Sequence, residues 1–344
     1  MNDFLIYIGR FEPPHCGHLS IIRRALEQTN RLLLFIGSHE VCRSLRNPFT
    51  TAERIEMLKI SLTESEISQI DFIPIHDSNY NYREWVKEVN HLVACAIDKN
   101  GCTSAKPNIG IIGHKKDDTS YYLDLFPEWN FVEMPLLENG ISSSEIRKKW
   151  FGENLTEKTK IPQAIYGYLK NKETEQWFKD LKKEFELVND YKKSWAASPY
   201  PPVFIAGDSC VICNEHILLI KRAAFPGKGL FSLPGGFLEQ NESIRHCAIR
   251  ELLEETGIEI SEKELTESIT DCKIFDDPNR EPRGRMISHC FLFNLTQHSE
   301  LPAIKANDDA ASALWFPVKD IDKIRSQFAG DHYKVVRSIT IANW

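Results

Sequence analysis

The stretch from Gly236 to Ile258 gathers residue types suited to chemistry: Gly236, Glu242, Arg250-Glu251-Leu252, Glu254-Glu255 and Gly257-Ile258. It reads as a loop feeding a helix. Because an α-helix turns about 100° per residue, Glu251 and Glu255 lie one turn apart with Glu254 beside them, and three carboxylates share one face. Ile244, Cys247, Ala248, Leu252 and Leu253 supply an apolar stripe to dock the helix, and Gly257 stands just past its end as a stop. Like charges one turn apart cost about 0.2–0.5 kcal/mol on a bare helix. Mg²⁺ or Mn²⁺ reverses that sign, since hard cations take carboxylate oxygens, so divalent-metal binding is the natural reading. In an isolated run the usual outcome is blander: a solvated face on which Arg250 pairs with Glu254.

A second constellation lies near the start. Residues 4–8, Phe-Leu-Ile-Tyr-Ile, form an apolar run followed at once by Gly9-Arg10-Phe11-Glu12-Pro13-Pro14-His15-Cys16-Gly17-His18. That order is a buried strand, a tight loop and a helix start. His15 and His18 then occupy the loop and first turn, where backbone N–H groups and the helix dipole favour phosphate. A single histidine there is as readily structural or a metal ligand.

Company decides both cases. The run from Gly236 to Ile258 matches every fixed position of the Nudix box, and residues 203–344 resemble the Nudix hydrolase family. The resemblance implies hydrolysis of a nucleoside diphosphate linked to another group. It places Gly236, Glu251, Glu254 and Glu255 at the metals, gives Glu251 a catalytic part, and has Arg250 and Glu242 fix helix and loop. His15-Cys16-Gly17-His18 resembles the His-x-Gly-His motif of the nucleotidylyltransferase superfamily. Ile141-Ser142-Ser143-Ser144-Glu145-Ile146-Arg147 resembles its second motif, with Ser144 keeping the hydroxyl of a more usual Thr. Together they imply catalytic His15, His18 and Arg147, with Ser142, Ser143 and Ser144 at the ATP phosphates.

Within that superfamily the likeness is to nicotinamide-mononucleotide adenylyltransferase, which implies that NMN and ATP give NAD and pyrophosphate. Its substrate contacts would fall on Gly9, Arg10 and Phe11, on Arg46 of Arg46-Asn47-Pro48-Phe49-Thr50, on Trp85, and on His114, Lys115 and Asp117 beyond the strand at 109–112. Trp85 has two level readings. The family stacks an aromatic on nicotinamide there, yet a helix running Trp85, Val89, Leu92, Val93 and Ala96 buries it just as readily. No nucleophile is set beside a base, so direct in-line attack is expected, with Mg²⁺ and the basic residues stabilising the departing pyrophosphate.

The loop from Phe275 to Ser288 carries Arg280, Arg283 and Arg285, a good frame for a diphosphate and ribose. It resembles the loops of Nudix proteins that handle ADP-ribose, as does the segment Pro226 to Pro234. Taken whole, the chain resembles the bifunctional nicotinamide-mononucleotide adenylyltransferase/Nudix hydrolases. That implies ADP-ribose cleavage to AMP and ribose 5-phosphate; the alternatives are an ADP-ribose sensor or hydrolysis of another nucleoside diphosphate derivative.

These residues need elements to hold them. Strands are expected at 4–9, 31–37, 70–75, 109–113 and 130–134, alternating with helices at 17–29, 51–62, 82–98 and 143–150. That alternation makes a Rossmann-like α/β domain with a parallel sheet. Strands at 203–213, 216–221, 268–275 and 286–295, a helix at 242–256 and a last one at 319–328 make an α+β Nudix fold. The domains are read as 1–192 and 203–344, joined by a linker at 193–202 where Pro199, Pro201 and Pro202 break any helix.

Across 344 residues the net charge is −7 with no basic block, which argues against nucleic acid as a partner. No apolar run is long enough to span a membrane, and Met1 leads straight into a strand without a cleaved signal, so a cytoplasmic protein is expected. Nine scattered cysteines suit reduced thiols; Cys210 and Cys213 lack a second pair to complete a zinc site. A homo-oligomer is left open.

Overall fold

Unbroken apolar runs make strands that are covered on both faces, and the first unit is built from them. Alternate residues of β1 (Asn2–Gly9) feed two cores: Leu5 and Tyr7 join one, Phe4 and Ile6 the other. After it come α1 (Cys16–Leu26), β2 (Thr29–Ile36), α2 (Thr51–Lys59), α3 (Glu64–Ser68), β3 (Ile70–Pro74) and α4 (Tyr82–Lys99). Then follow β4 (Ile109–Gly113), β5 (Asn130–Glu133), α5 (Ser143–Phe151), α6 (Gln163–Lys172) and α7 (Gln176–Ser194). The strand order is β3-β2-β1-β4-β5, and every pairing is parallel. This is the expected Rossmann-like sheet, with the loops after β1, β2 and β4 at its carboxyl edge, where such sheets bind ligands. The computed structural model describes all residues except 1, 78–79, 103, 105, 115–121, 135–141, 154, 157–160, 308–309 and 342–344.

The second unit contains β6 (Val203–Cys213), β7 (His216–Arg222), β8 (Phe231–Ser232), β9 (Gly235–Phe237), α8 (Ile244–Thr256), α9 (Glu262–Glu267), β10 (Ile269–Phe275), β11 (Arg285–Asn294), β12 (Ala310–Pro317) and α10 (His332–Ile341). Its sheet runs β10-β11-β6-β7-β12, with β8 on β7 and β9 on β6. Among the described strands only β6 and β11 pair in parallel, so the sheet is mixed. Against β6 lies α8, and the contact is backbone to backbone: a Cβ at Gly207 would sit 2.9 Å from both Ala248 N and Ile244 O. Only glycine admits so close an approach.

Two expectations change here. Residues 318–327 form a 3-10 segment kinked at Ile324, and the last α-helix is α10 beyond it. The strand β12, paired with β7, escapes a reading by pattern because Ala310-Ala311-Ser312-Ala313 offers small side chains where a strand shows branched or aromatic ones. The chain divides into compact units Met1–Lys182 and Lys183–Trp344, a division that falls inside α7. Among the described residues no helix is long and apolar enough to cross a membrane.

Candidate active sites

In the first unit the loop after β1 turns back on itself. Phe11 takes φ 56°, and its buried ring packs over Gly9, where a Cβ would lie 2.7 Å away, and edge-on to Tyr7 and His18. His15 then caps α1. Its Nδ1 accepts from Gly17 N–H at 3.1 Å, while His18 Nδ1 accepts from His15 N–H at 3.2 Å. This is a capping box made from two imidazoles, their rings stacked at 3.7 Å. Because both Nδ1 atoms accept, each neutral ring carries its proton on Nε2, the geometry of a donor pair. Burial first, then the charges of His15, His114 and Arg10, holds His18 well below the usual histidine range, so it is neutral at pH 7.

Three buried side chains hold that loop. Arg147 of α5 donates to Glu12 O at 2.6 Å, Leu45 O at 3.0 Å and Ser144 Oγ at 3.1 Å. Arg54 of α2, fully buried, donates to Arg10 O at 2.7 Å, Gly37 O at 2.5 Å and Ser38 O at 3.1 Å, and its Nε lies 3.2 Å from the Glu12 carboxylate. Glu12, pushed up to about 8 by burial although the arginines pull the other way, accepts from Phe49 N–H. Arg10 depresses Arg147, Arg54 and His18 alike, and its Nη1 is buried with no hydrogen-bond partner in the structure. The pocket is therefore over-supplied with positive charge, which an anion would relieve.

The other expected residues fall around this loop. Ser142 caps α5, accepting from Glu145 N–H, and Ser143 Oγ donates to Pro13 O at 3.0 Å. His114 Nδ1 donates to Met134 O at 2.7 Å, which leaves Nε2 as an acceptor in the neutral ring. Half-buried Arg46 is near enough to depress Arg147. Lys115, Lys116 and Asp117 lie outside the described residues. Sequence reasoning missed Glu12, Arg54 as a clamp, and Asp77, whose carboxylate accepts from Ser38 N–H at 2.9 Å and its hydroxyl at 2.6 Å. A signal existed for Arg54: it occupies the stripe shared with Met57 and Leu58, where a charge marks a buried network.

Trp85 sits on α4, half-buried, 5.9 Å from Phe126 and edge-on to Tyr122 at 6.4 Å. The packing suits a core role. Yet a half-exposed indole keeps a face to offer. Trp85→Ala is expected to raise the KM for NMN far more than that for ATP if the ring meets nicotinamide. If it only packs, both KM values stay put and the melting temperature drops by an amount set by about 3–5 kcal/mol at most.

In the second unit the acidic face of α8 meets β9. Ser243 caps the helix and Gly257 ends it at φ 49°. Gly236 faces Glu251 so closely that a Cβ there would lie 2.2 Å from the carboxylate oxygen. Arg250 is the organiser: it donates to Glu242 at 2.9 Å, Glu251 at 2.8 Å, Glu254 at 2.9 Å and Phe237 O at 3.3 Å. It holds Glu242 down at about 2. Both readings of Arg250 thus coexist, as the partner of Glu254 and as the brace to the Glu242 loop. Glu255 points inward, accepts from Gly235 N–H at 2.9 Å, and is pushed up to about 8 by burial, with Glu251 and Asp208 adding to the rise. A buried carboxylate under that strain, with two more on the same face, is a hard-oxygen donor set that a divalent cation fits.

Arg280 and Arg283 of the loop before β11 and Arg285 at its start separate. Arg280 turns inward to Asp331 at 3.1 Å and Phe275 O at 2.9 Å. Arg283 pairs with Glu281 at 2.7 Å and lies 4.8 Å over the Phe237 ring, while Arg285 donates to Asp276 O. Beneath them Asp208 accepts from Ser288 Oγ, and His332 Nδ1 accepts from Leu233 N–H at 3.4 Å. No spacing pattern in the sequence announces this second group.

Comparison with known proteins divides the chain the same way. A cytidylyltransferase-like family model matches residues 6–149 and a NUDIX domain model residues 204–339. The chain is 33% identical over 183 residues to the nicotinamide/nicotinic acid mononucleotide adenylyltransferase of Acinetobacter baylyi, covering 53% of this chain and 93% of that one. It is 35% identical over 133 residues to the ADP-ribose pyrophosphatase of Methanocaldococcus jannaschii, covering 39% and 70%. A crystal structure of a bifunctional NMN adenylyltransferase/ADP ribose pyrophosphatase from Francisella tularensis, complexed with AMP and Mn ion, is 32% identical. It superposes with a TM-score of 0.89 over 99% of both chains.

Proposed function

The chain belongs to the bifunctional NMN adenylyltransferase/ADP-ribose pyrophosphatase family, and on that premise we propose how its two sites work. The first unit joins NMN and ATP into NAD and pyrophosphate; the second hydrolyses ADP-ribose to AMP and ribose 5-phosphate. The observation that carries the adenylyltransferase mechanism is the double cap on α1: folding itself commits the Nδ1 atoms of His15 and His18 as acceptors and so leaves the proton of each neutral ring on Nε2, beside an excess of positive charge. An NMN phosphate oxygen is already nucleophilic, so these residues need only hold it behind the α-phosphate and donate to the oxygens that gain charge. Arg147 and Arg54 act by fixing the loop, and Arg10 supplies the charge.

In the second unit Glu251, Glu254, Glu255 and the Gly236 backbone would hold Mg²⁺ or Mn²⁺, which neutralises the diphosphate and acidifies a water. Arg250 steers Glu251 and Glu254, and Gly235 N–H steers Glu255. For ADP-ribose itself we rely on Arg283, stacked on Phe237 at the edge of β9. Nine cysteines without a disulfide among them suit a reducing, cytoplasmic setting. The test is chromatography of nucleotides after the full chain meets ATP and NMN, or ADP-ribose, with Mg²⁺. NAD in the first mixture and AMP in the second are expected. Tight ADP-ribose binding with no AMP would make the second unit a sensor.

A further inference from the structure

Three donors converge beside the first site without taking part in it: His39 and Glu40 in the loop after β2, and His76 just after β3. Their ligand atoms all lie within 4.8 Å of one another, with His76 Nε2 3.1 Å from Glu40 Oε2 and His39 Nε2 3.8 Å from Glu40 Oε1. A tetrahedral cation with bonds of about 2.0–2.1 Å sets its ligand atoms roughly 3.3 Å apart; the two contacts, made to different oxygens of Glu40, lie near that spacing, and the rings would close the rest of the way on the ion.

The far side of each ring is already engaged. His76 Nδ1 lies 3.1 Å from Glu88 Oε1 on α4, and His39 Nδ1 3.0 Å from Thr51 Oγ1 on α2. A carboxylate only accepts, and both ring nitrogens of His76 face one at 3.1 Å, so the single proton of a neutral ring serves one side alone; on Nδ1 it serves Glu88. In a neutral ring Nε2 then turns a lone pair on the Glu40 carboxylate at 3.1 Å. Two acceptors face each other there, and only a cation between them, or a second proton on the ring, makes that contact favourable. Ring nitrogens tied to an outer carboxylate or hydroxyl, with the inner nitrogens convergent, form the arrangement that orients histidine toward a metal. The loop bears strain at the same place: Ser38 and Glu40, neither a glycine, take φ 52° and 53°.

We propose that His39, Glu40 and His76 bind one borderline divalent transition cation of the Zn²⁺ class. Two imidazoles and one carboxylate favour it over Mg²⁺, which prefers oxygen and octahedral geometry. The cation clasps the loop after β2 to the segment after β3. Between those ends lies the Asp77–Ser38 pair that shapes the carboxyl edge of the sheet, so the clasp stiffens one wall of the nucleotide site.

Titration of the full chain with ZnCl₂, in a large excess of Mg²⁺ to occupy the carboxylate face of α8, reads the site directly. The parent is expected to take up one Zn²⁺ per chain and to melt higher with it. His76→Gln and His39→Gln lose that uptake. Glu88→Gln, which meets His76 at its outer nitrogen, weakens Zn²⁺ binding about 10–100-fold while leaving stoichiometry at one. Near-ultraviolet circular dichroism matching the parent separates a lost ligand from a lost fold. Equal Zn²⁺ uptake by parent and His76→Gln, or none by the parent, would overturn the site and leave Glu40, His76 and Glu88 as an imidazolium between carboxylates.

Discussion

His18→Ala is expected to lower NAD formation at least a hundredfold while ADP-ribose hydrolysis stays within a few-fold of the parent. One preorganised donor to a transition-state oxyanion is worth about 2.7–4 kcal/mol, and His18 Nε2–H is oriented by the fold for that task. Alanine also deletes half of the capping box, a loss of about 1 kcal/mol of stability that complicates the result. His18→Asn resolves it: the amide oxygen can accept from His15 N–H as Nδ1 does, yet nothing stands where Nε2 stood. Lost synthesis with an unchanged melting temperature is therefore the expected Asn phenotype. Near-normal synthesis in both variants would remove His18 from the chemistry. Burial, with the neighbouring charges behind it, depresses the His18 pKa, and this has a stability counterpart. Below the ordinary histidine range the unfolded chain takes up a proton before the folded one, so stability contributed by the neutral ring is lost as pH falls through that range. His18→Asn should flatten this part of the pH profile.

Glu255→Gln is expected to stop hydrolysis by more than about a hundredfold and leave NAD synthesis intact, since removing one electrostatic stabiliser of transition-state charge costs roughly that much. The substitution keeps volume and the acceptor for Gly235 N–H. It removes a carboxylate that burial already disfavours, so the melting temperature should hold or rise. Raising Mg²⁺ or Mn²⁺ should restore part of the rate, because Glu251 and Glu254 remain. Hydrolysis at the parental rate, measured as AMP released from ADP-ribose, would show that the metal is held elsewhere.

Much of this was legible in the residues, and the reason is local coding. The parallel sheet follows from unbroken apolar runs such as Phe4 to Ile8, and the acidic face of α8 from helical spacing alone. The sequence placed His15 and His18 in the loop and first turn of α1, while the cap their rings make there shows only in the fold. What stayed hidden depends on partners distant in sequence. Arg147 reads as a phosphate ligand by motif, and the fold gives three of its donors to Glu12 O, Leu45 O and Ser144. Arg280 shows the same limit, since its partner Asp331 lies in the turn before α10. β12 was invisible for another reason: the small residues at its start have little strand propensity of their own, and pairing with β7 makes them a strand.

The contact at Gly207 gives the second site a mechanical character. Where a helix rests on a sheet through side chains, rotamer changes act as springs and let the helix shift by fractions of an ångström. Here the main chain of β6 bears directly on the main chain of α8, at the turn from Ile244 to Ala248, and there is no spring. The carboxylates of Glu251, Glu254 and Glu255 ride on that helix as one stiff body. A methyl group at 207 would press on the main chain of α8 rather than on any carboxylate, and is expected to tilt all three together and weaken whatever cation they hold.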